Sequence, residues 1–190
     1  MSLPIATKDI PQADSLEKVM LTVEAVSKGR HSFQDIANYL HVTDRQGRYY
    51  RRAAEILRLI TTVPHRNVSS LTALGQEFVS QTGAQKQQTI AMQVLHVPII
   101  QSVVAILASS GGTASLRDVE ASFRKITPNT TEKMADRRLS TILSWLDGSK
   151  TIKKTGVQIT LKELPTSIDK IEIADPEIPI LPKAGDLKAF

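Results

Sequence analysis

Cysteine is absent from the 190 residues. Its absence excludes disulfides, thiolate zinc sites, iron–sulfur clusters and a cysteine nucleophile, and it fits a reducing compartment. Aromatic residues are scarce, at 4%, so a core has to be assembled mainly from Leu, Ile, Val and Ala. No stretch has the uncharged apolar length that spanning a bilayer requires. The most apolar run, Ile90 to Ala108, is interrupted by Gln93, His96, Pro98, Gln101 and Ser102. The first fourteen residues are too polar for a signal peptide. These absences lead to the expectation of a soluble, cytoplasmic protein with no membrane partner.

Catalytic signatures are equally thin. His31, His41, His65 and His96 are widely spaced and form no H-x-x-H or HExxH pattern, so no metal site is expected. There is no glycine-rich phosphate loop and no G-x-S-x-G elbow. Gly111-Gly112 precedes Thr113 without a following Lys and reads as a helix stop. Asp175-Pro176-Glu177 and Asp186-Leu187-Lys188 have the spacing of a nuclease metal motif. They fall, however, in a proline-broken stretch too short to form the α/β core that such motifs need, so a solvated linker is expected there.

What is present is ordinary globular material, 41% hydrophobic and 23% charged. Lys and Arg number 24 against 19 Asp and Glu, a net charge of +5 that permits a polyanionic partner without requiring one.

Periodicity divides the chain. Residues 1–13 read as a flexible lead. Residues 14–82 form a first unit. Leu16, Val19, Met20, Val23 and Val26 recur at helical spacing, and Ser32 with Asp35 suits a capping box opening a second helix. Thr43 caps a third helix running to about Leu59. Two β-prone runs, 60–63 and 68–71, flank a Pro/Asn turn and predict a hairpin, after which Thr72 caps a further helix. Residues 83–96 are a linker or a connecting helix. Residues 97–163 repeat the order: a helix over 99–107, one opened by Ser115, one capped by Thr130 or Thr131, and a hairpin over 151–161. Residues 164–190, with four prolines, read as an extended acidic arm. The fold class expected is mainly α with small β-hairpins.

Helix, helix, helix, hairpin is the order of the winged-helix form of the helix-turn-helix, in which the third helix enters the DNA major groove. At 100° per residue, Tyr50, Ala54 and Leu57 share the inner face of the first unit's third helix, flanked by Ala53 and Gly47. Arg45, Arg48, Tyr49 and Arg52 share the outer face, with Gln46 at its margin. Arg can bond guanine O6 and N7 together, and Gln46 could read adenine in the same bidentate manner. Thr43 sits where a helix N-terminus attracts phosphate, and Arg66 in the hairpin turn suits the DNA backbone. A solvated face built from good helix formers is the plainer alternative. In the second unit Lys133, Arg137, Thr141 and Ser144 face outward, with Met134 and Arg138 nearby, and the hairpin adds Lys150, Lys153 and Lys154. Direct DNA contact and a structural role in orienting the first unit both remain open for this half. Trp145, between the core and outer faces, reads as an inter-domain packing residue.

Certain segments carry a resemblance. They are Asp35-Ile36-Ala37-x-x-Leu40, Arg48-Tyr49-Tyr50-Arg51-Arg52-Ala53-Ala54 and Leu71-Thr72-x-Leu74-Gly75-x-x-Phe78 in the first unit. In the second they are Asp136-Arg137-Arg138 and Ser144-Trp145-Leu146. Over about Ser15 to Leu161 the chain resembles the tandem winged-helix DNA-recognition regions of modular type II restriction endonucleases, including the type IIS group. That resemblance implies a module that reads an asymmetric double-stranded DNA site and positions a separate Mg²⁺-dependent nuclease domain. Because no nuclease core is visible, this chain is itself expected to be no enzyme and to need no cofactor. Mg²⁺ would enter only with a nuclease domain beyond Phe190 in a longer parent. A free-standing winged-helix regulator and a winged-helix protein-interaction scaffold stand as alternatives.

Overall fold

The computed structural model describes residues 10–63 and 65–162. Their fold is mainly helical, with two small antiparallel sheets. Helix α1 (Leu16–Ser27) starts at Ser15, whose hydroxyl accepts from the Lys18 amide. Helix α2 (Phe33–Tyr39) starts at the Ser32–Asp35 capping box expected from the sequence. A left-handed residue, His41, turns the chain into α3 (Asp44–Ile56). This third helix ends before Leu59, because its C-cap, Leu57, is followed by Arg58 at φ 58°. Strands β1 (Ile60–Val63) and β2 (Val68–Leu71) pair from Ile60 with Leu71 to Val63 with Val68. Helix α4 (Ala73–Ser80) follows its Thr72 cap.

The segment left open as linker or helix is helical: α5 spans Gly83–Leu95. Helix α6 (Pro98–Ser109) begins with proline at its first position, where a missing N–H costs nothing. Strand β3 (Thr113–Ser115) leads directly into α7 (Leu116–Ile126). Helix α8 (Glu132–Gly148) follows its Thr131 N-cap, and β4 (Ile152–Thr155) and β5 (Gln158–Leu161) close the second unit. The strand order is β3-β5-β4. The short β3 had no periodicity of its own to announce it. The first unit has a reduced counterpart, for the Ser69 amide donates to the His31 carbonyl just before α2.

Backbone contact requires two glycines. A Cβ at Gly47 would lie 2.6 Å from the Phe33 carbonyl oxygen, so α2 and α3 cross there with no room for a side chain. One at Gly75 would lie 1.9 Å from the Leu59 carbonyl oxygen.

A continuous apolar cluster runs through the described residues, from Val19, Val23 and Ile36 through Phe78, Val94 and Ile100 to Phe123, Leu139 and Trp145. Part of the supposed lead belongs to it: Ile10 and Ala13 are 4% and 2% exposed. The expectation of a flexible segment up to residue 13 is therefore corrected for 10–13, where burial outweighs the lack of periodicity. The arm at 164–190, with its nuclease-like spacing, and residues 1–9 lie outside the described residues.

Candidate nucleic-acid interface

Helix α3 is set by its two ends and its inner face. Thr43 accepts from the Gln46 amide, and the Gln46 side-chain oxygen accepts from the Thr43 amide at 3.1 Å. Gly47, Tyr50, Ala53 and Ala54 are buried, and Tyr50 donates its hydroxyl proton to Asp14 Oδ1 at 2.8 Å. Burial, and then this bond, raise the Tyr50 phenol well above its ordinary range.

The outer face follows from the inner one. Arg45, Arg48 and Arg52 are exposed and Tyr49 is half-buried. Arg45 Nε donates to Tyr49 Oη at 2.8 Å, which aligns the two side chains along the helix. Arg48 lies over the Phe33 ring, 4.1 Å from its centre. Half-buried Arg51 approaches the same ring and donates to the Asn67 side-chain oxygen. Asn67 in turn donates to Gln34 at 3.0 Å. Helix α2, helix α3 and the β1–β2 turn are thus linked by a guanidinium and two amides, a task suited to arginine's planar fork. Burial lowers the Arg51 pKa. Arg52 pairs with Glu55 at 2.9 Å. Arg66 is exposed at the turn.

On α8, Lys133 and Arg137 are exposed and Thr141 is half-buried, its hydroxyl donating to the Arg137 carbonyl. Arg138 departs from expectation. It is buried, 8% exposed, and donates to Thr130 Oγ1 at 3.1 Å. One residue's rotation around the helix separates it from Arg137. Ser144 is half-buried and donates to the Asp14 carbonyl at 2.8 Å. Asp136 receives a bidentate pair from Nε and Nη2 of Arg124 on α7, which raises the Arg124 pKa and offsets the carboxylate's charge near this face. Lys153 and Lys154 are exposed on β4.

One edge of α3, at Gln46, Tyr49 and Tyr50, and the outer side of α8 border one cleft of about 340 Å³. Gln46, Tyr49 and Tyr50 form one wall, Arg137, Ser140 and Thr141 the other, and residues 12–14 line it between them. Four sequence-predicted residues therefore meet there: Gln46, Tyr49, Arg137 and Thr141. Thr43, Arg45, Arg48, Arg52, Arg66, Lys133 and Lys153 are not part of its lining, and Lys154 borders a separate cavity with Glu120 and Asp136. Gln46 has its oxygen engaged in the helix cap, so bidentate contact with adenine requires that cap to open. Four residues of the cleft, Gln12, Ala13, Asp14 and Ser140, escaped the sequence reading. Ser140 had a usable signal, lying three residues beyond Arg137 on a helix. Asp14 had none, because its partners are 36 and 130 residues away.

Among the described residues no group of three or more His, Asp or Glu is placed to hold a metal ion, and no helix is long and apolar enough to cross a membrane. Comparison with curated proteins and with solved structures found no match to the chain. Residues 7–148 match the family described as a domain of unknown function (DUF7226), and the chain belongs to that family.

Proposed function

We propose that this chain binds double-stranded DNA through two tandem winged-helix units. The observation carrying the reading is the shared cleft, which brings Gln46 and Tyr49 at the edge of the basic face of α3 beside Arg137 and Thr141 of α8. In this reading the third helices approach base edges while the hairpins, with Arg66, Lys153 and Lys154, meet phosphates. Charge supports it: residues 10–162 hold 20 Lys and Arg against 12 Asp and Glu. So does chemistry, since Arg45, Arg48 and Arg137 are exposed guanidiniums suited to guanine or phosphate. The resemblance to type IIS reading regions extends the proposal to an asymmetric site, read in the cytoplasm by a chain that does not itself cut. Cleavage would belong to a separate Mg²⁺-dependent nuclease domain of a longer parent.

The test is binding of labelled duplexes across a salt series. Phosphate neutralisation predicts that log affinity falls linearly with log salt, with a slope of about −0.9 per phosphate contacted. Affinity that does not respond to salt, or no affinity at all, removes the DNA reading and favours a protein-docking scaffold. Cleavage by the purified chain with Mg²⁺ would remove the non-enzymatic part.

A further inference from the structure

Residues 13–15 offer successive groups to three helices. The Ala13 carbonyl accepts from Trp145 Nε1 of α8 at 2.7 Å, and the Asp14 carbonyl accepts from Ser144 of α8 at 2.8 Å. The Asp14 carboxylate accepts from Tyr50 of α3 at 2.8 Å, and the Ser15 hydroxyl caps α1. Trp145 and Tyr50 are buried, at 0% and 4% exposure. The next residue, Leu16, packs beneath Gly148 at the end of α8, where an added Cβ would stand 3.4 Å away. Helix α5 braces the same junction: Gln87 donates to the Gly148 carbonyl at 3.2 Å, and Lys86 pairs with Glu24 of α1 at 2.9 Å. The segment therefore lines the cleft while bonding to both of its walls.

We infer that residues 12–15 form a strap that fixes the separation of α3 and α8, so that the two units read one continuous DNA site at a single spacing. The inference rests on the DNA-binding reading above. Asp14, Ser144, Trp145 and Tyr50 are positioning residues in it, acting through the two helices rather than by touching DNA. Its physical basis is preorganisation. Two reading helices held in a fixed relation bind a correctly spaced site without ordering a joint at that moment, and binding by one unit places the other at high effective concentration only over that spacing. A loose joint would accept many spacings, each more weakly.

The test variant is Tyr50→Phe/Ser144→Ala/Trp145→Phe in the full chain, which deletes three donors and keeps two rings. Two readouts apply. The absence of native cysteine allows spin labels at Asp44→Cys and Glu132→Cys alone, reporting the α3–α8 distance without DNA. Selection from a random duplex pool, followed by spacer insertion between the two recovered half-motifs, reports spacing tolerance. The expected result is a narrow distance distribution and one preferred spacing in the parent chain. In the variant the distribution widens, affinity at that spacing falls about tenfold, and sites displaced by two base pairs change little. Ser144→Thr, which keeps the hydroxyl, retains the parent pattern. Should the triple variant fail to fold, Tyr50→Phe/Ser144→Ala is read in the same way, with milder changes expected. An unchanged distribution and an unchanged single spacing overturn the strap while leaving DNA binding intact. A broad distribution in the parent chain also overturns it. A pool from which the parent chain enriches no duplex overturns the DNA reading and the strap together.

Discussion

The indole nitrogen of Trp145 donates to the carbonyl of Ala13, 2.7 Å away, and both residues are buried. The bond spans 132 positions of sequence and fastens the chain's entry to the last long helix. Trp145→Phe preserves a ring but leaves that carbonyl without its donor. An unsatisfied buried acceptor costs about 1–3 kcal/mol, and the smaller ring leaves part of the indole's volume empty. Urea unfolding should show a lowered midpoint with an unchanged slope. A midpoint equal to that of the parent chain would mean that the carbonyl finds another partner at no cost.

Backbone crowding sets a second expectation. Gly47→Ala places a methyl against the Phe33 carbonyl and Ala37, and overpacking of this kind costs about 1–3 kcal/mol. Gly75→Ala meets the Leu59 carbonyl far more closely, so its loss should be the larger of the two. Thermal melts of the two variants rank them. The reverse order would mean that the Leu59 turn yields more readily than the α2–α3 crossing.

A third expectation divides labour in the first unit. Arg45 lies in the first turn of α3 beside Tyr49, whereas Arg66 lies in the hairpin turn. Arg45→Ala should cost about 1–3 kcal/mol on the preferred duplex and flatten discrimination at one base. Arg66→Ala should weaken all sequences alike and reduce the salt slope by about one unit. A guanine offers a fixed pair of acceptors, while a phosphate looks the same at every step. If Arg66→Ala erases base preference and Arg45→Ala lowers affinity uniformly, the roles are exchanged.

Stability should fall at both ends of the pH scale for identifiable reasons. Tyr50 has a raised folded-state pKa, chiefly through burial and then through Asp14. Its contribution is complete below the unfolded value of about 10 and is lost as pH rises toward the folded value. Tyr50→Phe should therefore flatten the alkaline decline. Asp35 is lowered by its side-chain and backbone bonds from Ser32. Its contribution is present above the unfolded value of about 3.9 and disappears as pH falls through the folded one. Asp35→Asn should flatten the acid limb. Denaturant midpoints measured from pH 2 to pH 11 check both, and parallel curves for parent and variants would contradict the assignments.

Local order was legible because its causes are local. Ser32, Thr43, Thr72 and Ser115 cap the helices they precede because a hydroxyl reaches an amide three residues on. The inner face of α3 followed from helical geometry, and the β1–β2 hairpin from β-prone runs around a turn. Arg138 escaped the same reasoning. Arg138 lies toward the edge of the buried face of α8, where the boundary between inner and outer faces is decided by what packs against it, here Thr130 in the preceding turn.

By itself the sequence determined most of the helices, the caps at Ser32, Thr43, Thr72 and Ser115, the two hairpins and the basic outward face of α3. Each depends on side chains within a few residues of one another, where spacing and hydrogen-bond reach are set by backbone geometry. Only the tertiary structure decided that residues 10–13 are packed, that Arg138 turns inward, and that Asp14 and the Ala13 carbonyl are the groups to which Ser144, Tyr50 and Trp145 bond. It alone brought Gln46 and Tyr49 to the same cleft as Arg137 and Thr141. Those relations depend on contacts between positions many tens of residues apart. No periodicity encodes such contacts; burial of the shared apolar core selects them.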